Sequence, residues 1–229
     1  MSDDVQSGWA LLFKFGKRQH LKEMRESGLL YLSPQQYFSK LEGDAARSDQ
    51  FEGTDAIHQP HSIKHIKIGD NLILRPEQFV GPVSIGLGGV AYNLFCMFAL
   101  KRPGEGLFVD GRNFAFGDSC VIVLDTQVFI DRFQTAANGM GFASELGFIS
   151  YYDVNTYSGD TSLFQKPSKF SYQNEFRLAI CPGAEKPIVL NVGRLDDITT
   201  DVFPLAEVNQ LIENDWVPEP FGEREPDNE

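Results

Sequence analysis

Apolar and polar positions along this chain alternate with two different periods. Residues 10–16, ALLFKFG, run apolar up to a glycine and predict a strand closed by Gly16. In KRQHLKEMRESG, Leu21 and Met24 make one short apolar face, and Gly28 is placed to cap a helix. LLYLS predicts a second strand. In SPQQYFSKLEG, Ser33 suits an N-cap, Pro34 the first helical position and Gln36 the third position of a capping box. The expected buried stripe of that helix is Tyr37, Phe38 and Leu41, and Gly43 is its expected end.

A polar stretch, 44–61, predicts a long loop of the kind that carries function. Strand-like runs follow at SIKHIKI, NLILR, PVSIGLGG, NLFCMFAL, GLFVDG and SCVIVLD. TQVFIDRFQTAANG predicts a helix with Phe129, Ile130 and Phe133 inside and Gly139 at its end. FISYYDV, YQNEFRLAI and PIVLNVG predict further strands. PLAEVNQLIEND predicts a last helix led by Pro204, with Leu205, Val208, Leu211 and Ile212 on one face.

The tally, about four helices and eight or more strands, predicts an α+β fold with mixed or antiparallel sheets in a single domain over 9–216. Helices do not regularly separate the strands, which argues against a doubly wound parallel sheet. The length of 229 residues and 42% hydrophobic content allow a substantial core, and 19 phenylalanines predict that it is aromatic. No apolar run is long enough to span a bilayer, and the acidic start MSDDVQSG has no secretory pattern. Cys96, Cys120 and Cys181 are odd in number and far apart, as expected of reduced thiols in a cytoplasmic protein.

The formal net charge of −12 disfavours non-specific nucleic-acid binding. The segment EPFGEREPDNE holds five carboxylates against Arg224, and 217–229 is expected to be an acidic disordered tail. The folded part is then less acidic than the total, which leaves room for a local basic pocket.

Four patterns are candidates for chemistry. VSIGLGGV carries G-x-G-G without a following helical pattern, which fits a bending strand better than a dinucleotide loop. His58, His61 and His65 surround Pro60 with no carboxylate or thiol at ligand spacing, so no metal is expected there. In ARSDQFEGTD, Arg47 suits an anionic ligand group, or a surface pair with Asp49 or Glu52. Its carboxylates could instead hold a divalent cation. In YQNEFRLAI, Phe176, Leu178 and Ile180 alternate with Arg177 and Ala179, so Glu175 stands at the mouth of a strand among Tyr172, Gln173 and Asn174. A carboxylate fixed there can meet a sugar hydroxyl and stabilise positive charge at an anomeric carbon. The competing reading is a structural ion pair with Arg177 or Lys169.

Three ordered motifs, LFKFG, RSDQFEG and FQKPSKFSYQNEFRL, followed by NVGRLDDI, resemble a widespread bacterial family of uncharacterised proteins with aromatic-Lys-aromatic, R-x-D-x-F-E-G and Y-x-x-E-F-R motifs. The order FKFG, HLKEMRESGLLYL, QNEFRLAI is more distantly similar to the ADP-ribosyltransferase superfamily. That similarity implies NAD as co-substrate and Glu175 as the catalytic residue at the nicotinamide-side ribose. It implies that backbone groups of Phe15 and Gly16 hold the carboxamide, that Lys14 or Arg47 meets a phosphate, and that Tyr172 and Asn174 flank the site. Tyr31, Tyr37 and Tyr151 are alternative counterparts of the superfamily's middle aromatic. Phe15 stands where the superfamily often has histidine, and phenylalanine cannot bond a ribose.

Three functions follow as expectations. The first is an NAD-using transferase, onto a protein or nucleic-acid acceptor, or an NAD hydrolase, as in a toxin or phage-defence effector. The second is a non-catalytic module binding a nucleotide or a protein partner. The third is a metal-dependent phosphodiesterase built on Asp49, Glu52, Asp55 and Glu175.

Overall fold

The computed structural model describes residues 10–41, 46–86, 88–101 and 108–213. Eight strands form the main sheet: β1 (Ala10–Gly16), β2 (Leu29–Pro34), β3 (Asn93–Lys101), β4 (Ser119–Val123), β5 (Ala143–Phe148), β6 (Glu175–Cys181), β7 (Ile188–Asn191) and β8 (Phe203–Pro204). The α-helices among the described residues are α1 (Arg18–Ser27), α2 (Gln35–Lys40), α3 (Thr126–Gly139) and α4 (Val208–Glu213). Every pairing in the main sheet is antiparallel. The fold is α+β, and no helix among the described residues is long and apolar enough to cross a membrane.

The sheet forks at β3. One edge of β3 pairs continuously with β6, which pairs in turn with β5. The other edge is shared. Asn93 and Leu94 pair with Pro34 and Ser33 of β2, whereas Phe98 to Lys101 pair with Phe13 to Ala10 of β1. Between these contacts, residues 95–97 of β3 have no strand beside them on that edge. β1 continues with β4, and β2 with β7.

Strand alternation sorts the side chains onto two faces. Leu12, Phe95, Met97, Val121, Phe176, Leu178 and Ile180 enter one core with Leu21 and Met24 of α1 and with Phe129, Ile130 and Phe133 of α3. Phe13, Phe15, Phe98, Leu100, Cys120 and Ile122 enter a second core with Leu205 and Val208. In that second core the rings of Phe13 and Phe98 meet edge to face at 5.7 Å. Each fully buried phenylalanine contributes about 1.5–3 kcal/mol.

Local signals explain the helix ends. Gly28 closes α1 at φ +68°, its N–H donating to Met24 O at 3.0 Å. Asp125 caps α3 through Val128 N–H at 3.0 Å. α2 departs from its expectation: Pro34 is its N-cap, no side chain caps it, and Ser33 belongs to β2. Its stripe is not buried. Tyr37 is 48% exposed, and Phe38 and Leu41 are half-buried, because this short helix covers a cavity rather than a core. Gly43 and the acidic tail lie outside the described residues, as do Gly106 and Leu107 of GLFVDG.

The loop expected over 44–61 contains a strand, Ala56–His58, which pairs with Val83–Ile85 and Gly159–Asp160 in a separate small sheet. A further hairpin joins Ile66–Ile68 to Leu72–Leu74. β5, with only alternate half-buried positions and a glycine inside, was not expected. FISYYDV yields only Ser150–Tyr152, paired with Gln165–Pro167.

Candidate functional site

The fork in the sheet opens a cavity of about 510 Å³. β1 carries Phe13, Lys14 and Phe15 to one side of it, and β2 and α2 carry Tyr31, Ser33, Tyr37 and Phe38 to the other. Phe95, Cys96 and Met97 of β3 form the floor. Arg47, Phe116, Lys166, Gln173 and Glu175 complete the wall. Aromatic rings thus dominate, with three Lys or Arg side chains against one carboxylate among the described residues. That size and mixture suit a small-molecule site, for which about 300–1,000 Å³ is usual.

The backbone contributes as well. Ile122 exchanges bonds with Thr200 on the far side of β4, so alternation turns Val121 and Val123 toward β1 and pairs them with Lys14 and Leu12. The N–H and C=O of Phe15 therefore face away from β4, into the gap. Asn174 and Ala99 exchange bonds on the β6 edge of β3, so the same alternation turns Cys96 into the gap from below. Gly16 differs from its expected role: its carbonyl accepts Asp118 N–H at 3.2 Å, on the β4 side.

Lys14 spans the gap. Its Nζ donates to Cys96 O at 2.6 Å and sits 4.2 Å from the centre of the Phe95 ring. Burial lowers its pKa, against the raising influence of Glu175. Burial also pushes the Cys96 thiol up to about 12, so this cysteine stays protonated. Arg47 donates to Phe116 O at 3.2 Å, with its guanidinium 5.3 Å from the Phe116 ring centre.

Glu175 lines this cavity but is neither wet nor unopposed. It is 5% exposed, and both carboxylate oxygens are engaged: one accepts Lys166 Nζ at 2.8 Å, the other Arg177 Nε at 2.9 Å. Arg177, 1% exposed, also makes a two-pronged pair with Glu52, Nη1 to Oε1 and Nη2 to Oε2, each 3.0 Å. Burial by itself would raise the pKa of Glu175; Lys166 and Arg177 outweigh it and hold the carboxyl well below the usual range. Two acids and two bases, Glu52, Arg177, Glu175 and Lys166, cancel in charge. The ion-pair reading of Glu175 is therefore the observed one, with Lys166 in place of Lys169, whose ammonium stands over the Phe170 ring at 4.7 Å.

Asn174 and Tyr151 hold the start of β6 without lining the cavity, which Gln173 does line. Asn174 adopts φ +40°, ψ +51°, a left-handed conformation asparagine tolerates. Its amide donates to Ala99 O at 2.7 Å, which docks the start of β6 on β3. Tyr151 Oη accepts Glu175 N–H at 3.0 Å. Tyr172 stacks under Arg112 at 4.0 Å. Neither Tyr172 nor Asn174 lines the cavity, and of the three alternative tyrosines, Tyr31 and Tyr37 line it whereas Tyr151 does not.

The RSDQFEG loop is drawn in by the same network. Glu52 accepts Gln35 Nε2 at 2.9 Å as well as Arg177, and Gln173 Nε2 donates to Ala46 O at 2.7 Å. These bonds fix the stretch that presents Arg47. Glu52 and Glu175 do converge, but on the Arg177 guanidinium, which stands between them where a shared metal would have to sit. Asp49 is 1% exposed and accepts Phe51 N–H at 3.0 Å; burial and then Glu52 raise its pKa.

Lys166, Cys96, Phe95 and Phe116 were not read from the sequence as site residues. The Lys–Glu spacing of nine residues has no period of its own, so only the turn over Ser168–Gln173 brings Lys166 back to Glu175. No protein-family model, curated protein or solved structure matches this chain.

Proposed function

We propose that the cavity binds a nucleotide. The observation that carries this reading is Lys14, an ammonium held at a carbonyl oxygen on the floor of an aromatic-lined cavity that Arg47 also lines. Aromatic rings offer stacking faces to a base, and the cations offer charge to its phosphates. The gap-facing backbone of Phe15 provides a donor and an acceptor side by side for a planar polar edge. Glu175 then serves as the keystone that keeps β6, Lys166 and the Arg47-bearing loop in place. Its charge is cancelled by two cations, so it has little left to stabilise a developing carbocation. The non-catalytic module is accordingly the reading the geometry supports best.

The test is ligand-dependent melting with AMP, ATP, NAD and ADP-ribose. At least one should raise the melting temperature of the wild type, as binding to the folded state alone requires. Lys14→Met and Arg47→Met should each remove most of the shift. No shift with any of them in the wild type overturns the proposal.

A second reading, NAD cleavage, is favoured by one observation: Glu175 lines the same cavity as Phe15. On that reading a bound ligand displaces Lys166 or Arg177 from one carboxylate oxygen, and Glu175 faces the nicotinamide-side ribose. It predicts nicotinamide release from NAD by the wild type and none by a folded Glu175→Gln variant.

A further inference from the structure

The chain is acidic overall, yet the nine residues leading past the cavity are not. The segment 14–22, KFGKRQHLK, holds Lys14, Lys17, Arg18 and Lys22 with no carboxylate. Lys17, Arg18, His20 and Lys22 are exposed, and His20 lines the cavity mouth. Arg18 and Lys22, four apart on α1, share a helix face. On α1, Glu23 follows Lys22 directly and Glu26 lies four residues after it on the same face, and Asp118 accepts the backbone N–H of Arg18 at 3.1 Å, so acids border these cations. A basic strip still runs from solvent to the cavity in a protein of net charge −12.

The rim of the cavity is aromatic and outward-facing. Tyr31 is 51% exposed and Tyr37 48%, more than a closed small-molecule site would leave to water. The cavity is also open beyond Tyr37. A wider groove of about 1040 Å³ shares Ser33 and Tyr37 with it and continues past Lys40, with Asp55 and Glu185 also in its lining. A single nucleotide fills the cavity and uses neither the strip nor the groove. A polymer uses all three: charge on one side, exposed rings at the rim, and a way out on the other.

We propose that the nucleotide entering the cavity belongs to a single-stranded nucleic acid, whose phosphates follow Lys17, Arg18 and Lys22 and whose neighbouring base stacks on Tyr31 or Tyr37. This rests on the nucleotide reading of the cavity. Stacking on exposed aromatics with cations along the backbone is the general mode of single-strand binding. A duplex presents no free base face to these rings and is excluded from the cavity. The net negative field of the whole protein disfavours indiscriminate polyanion binding and leaves the strip as the point of approach.

The experiment is fluorescence anisotropy with labelled DNA and RNA single strands of about twelve nucleotides, a length sufficient for one such groove. It is run beside AMP-dependent melting, on the wild type and on a Lys17→Gln/Arg18→Gln/Lys22→Gln variant. These three side chains are exposed and outside the cavity, so the variant should fold and keep its AMP shift. Wild type should bind at least one strand, with affinity falling as salt rises. The variant should bind it at least tenfold more weakly, with a salt slope shallower by about two, since each phosphate contact contributes about 0.7. Strand binding that a duplex or polyglutamate competes away equally well overturns the inference, as does strand binding unchanged in the variant. If AMP shifts the melting temperature and no strand binds, the inference falls while the nucleotide reading stands. If no strand binds and none of AMP, ATP, NAD and ADP-ribose shifts the melting temperature, both fall.

Discussion

Arg177 and Glu52 are 125 residues apart in the chain and joined by two parallel hydrogen bonds of 3.0 Å, with both side chains almost wholly buried. That pair fastens the polar RSDQFEG loop to the middle of a rigid sheet. It also leaves Arg177 able to hold Glu175 with its remaining Nε–H, so one guanidinium sets both the loop and the carboxylate at the cavity wall.

Removing Arg177 should therefore strand two buried carboxylates. Arg177→Met is expected to cost about 3–5 kcal/mol, the usual loss when one partner of a buried ion pair is deleted. Equilibrium urea unfolding reads this as a lower midpoint. A midpoint equal to wild type would show that the pair does not anchor the loop.

Acid should unfasten the same network. The folded-state pKa of Glu175 is depressed below its unfolded value, so the unfolded chain binds the proton first as pH falls. The stability Glu175 contributes is fully present above the unfolded carboxylate range, about pH 4–5, and is lost as pH falls toward its folded value. Asp49, whose pKa is raised, contributes with the opposite sign. Unfolding midpoints of the wild type should fall steeply below about pH 5, and those of a folded Glu175→Gln variant less so. Parallel curves would remove Glu175 from the account.

Anion binding should weaken in base earlier than a free lysine would allow. Lys14 has a lowered pKa, and an anion binds its ammonium form. As pH rises through that lowered value, below the usual lysine pKa of about 10.4, affinity is lost. Titration of AMP by calorimetry across this range should show the loss in wild type. Lys14→Arg, charged throughout, should flatten it, and an unchanged profile in Lys14→Arg would show that Lys14 does not meet the anion.

Gly28 should tolerate no side chain. At φ +68° an L-residue is strained, and a Cβ would lie 2.0 Å from the carbonyl oxygen of Gly193. Gly28→Ala is expected to lower stability by more than about 1 kcal/mol, since α1 and the chain after β7 would have to part. Thermal unfolding checks this, and an unchanged melting temperature would show that the two segments can separate without cost.

The sequence by itself determined most of the elements that build the sheet. β1, β2, β3, β4 and β6, together with α1 and α3, follow from apolar runs, period and terminal glycines, all local signals read within a few residues. β5 was illegible because half-buried positions and Gly147 weaken its alternation. The amphipathic stripe of α2 was legible as apolar but not as a cavity wall, since a period says which residues share a face and not what lies opposite. Glu175 and Arg47 were legible as candidates by residue type and placement, and Lys14 only through the motif resemblance.

Only the tertiary structure decided what they do. The fork at β3, which makes the cavity, depends on where β1 and β2 leave a strand some 60–90 residues away, and no local pattern records that. The partners of Glu175 were likewise undecided: Arg177 lies two residues on and projects to the same strand face, but Lys166 arrives by chain folding, as does Glu52, the other acid that Arg177 holds. Burial strengthens those long-range contacts and makes unpaired charge expensive. The carboxylate that the sequence presents as an open ligand group is therefore, in the folded chain, neutralised and fixed.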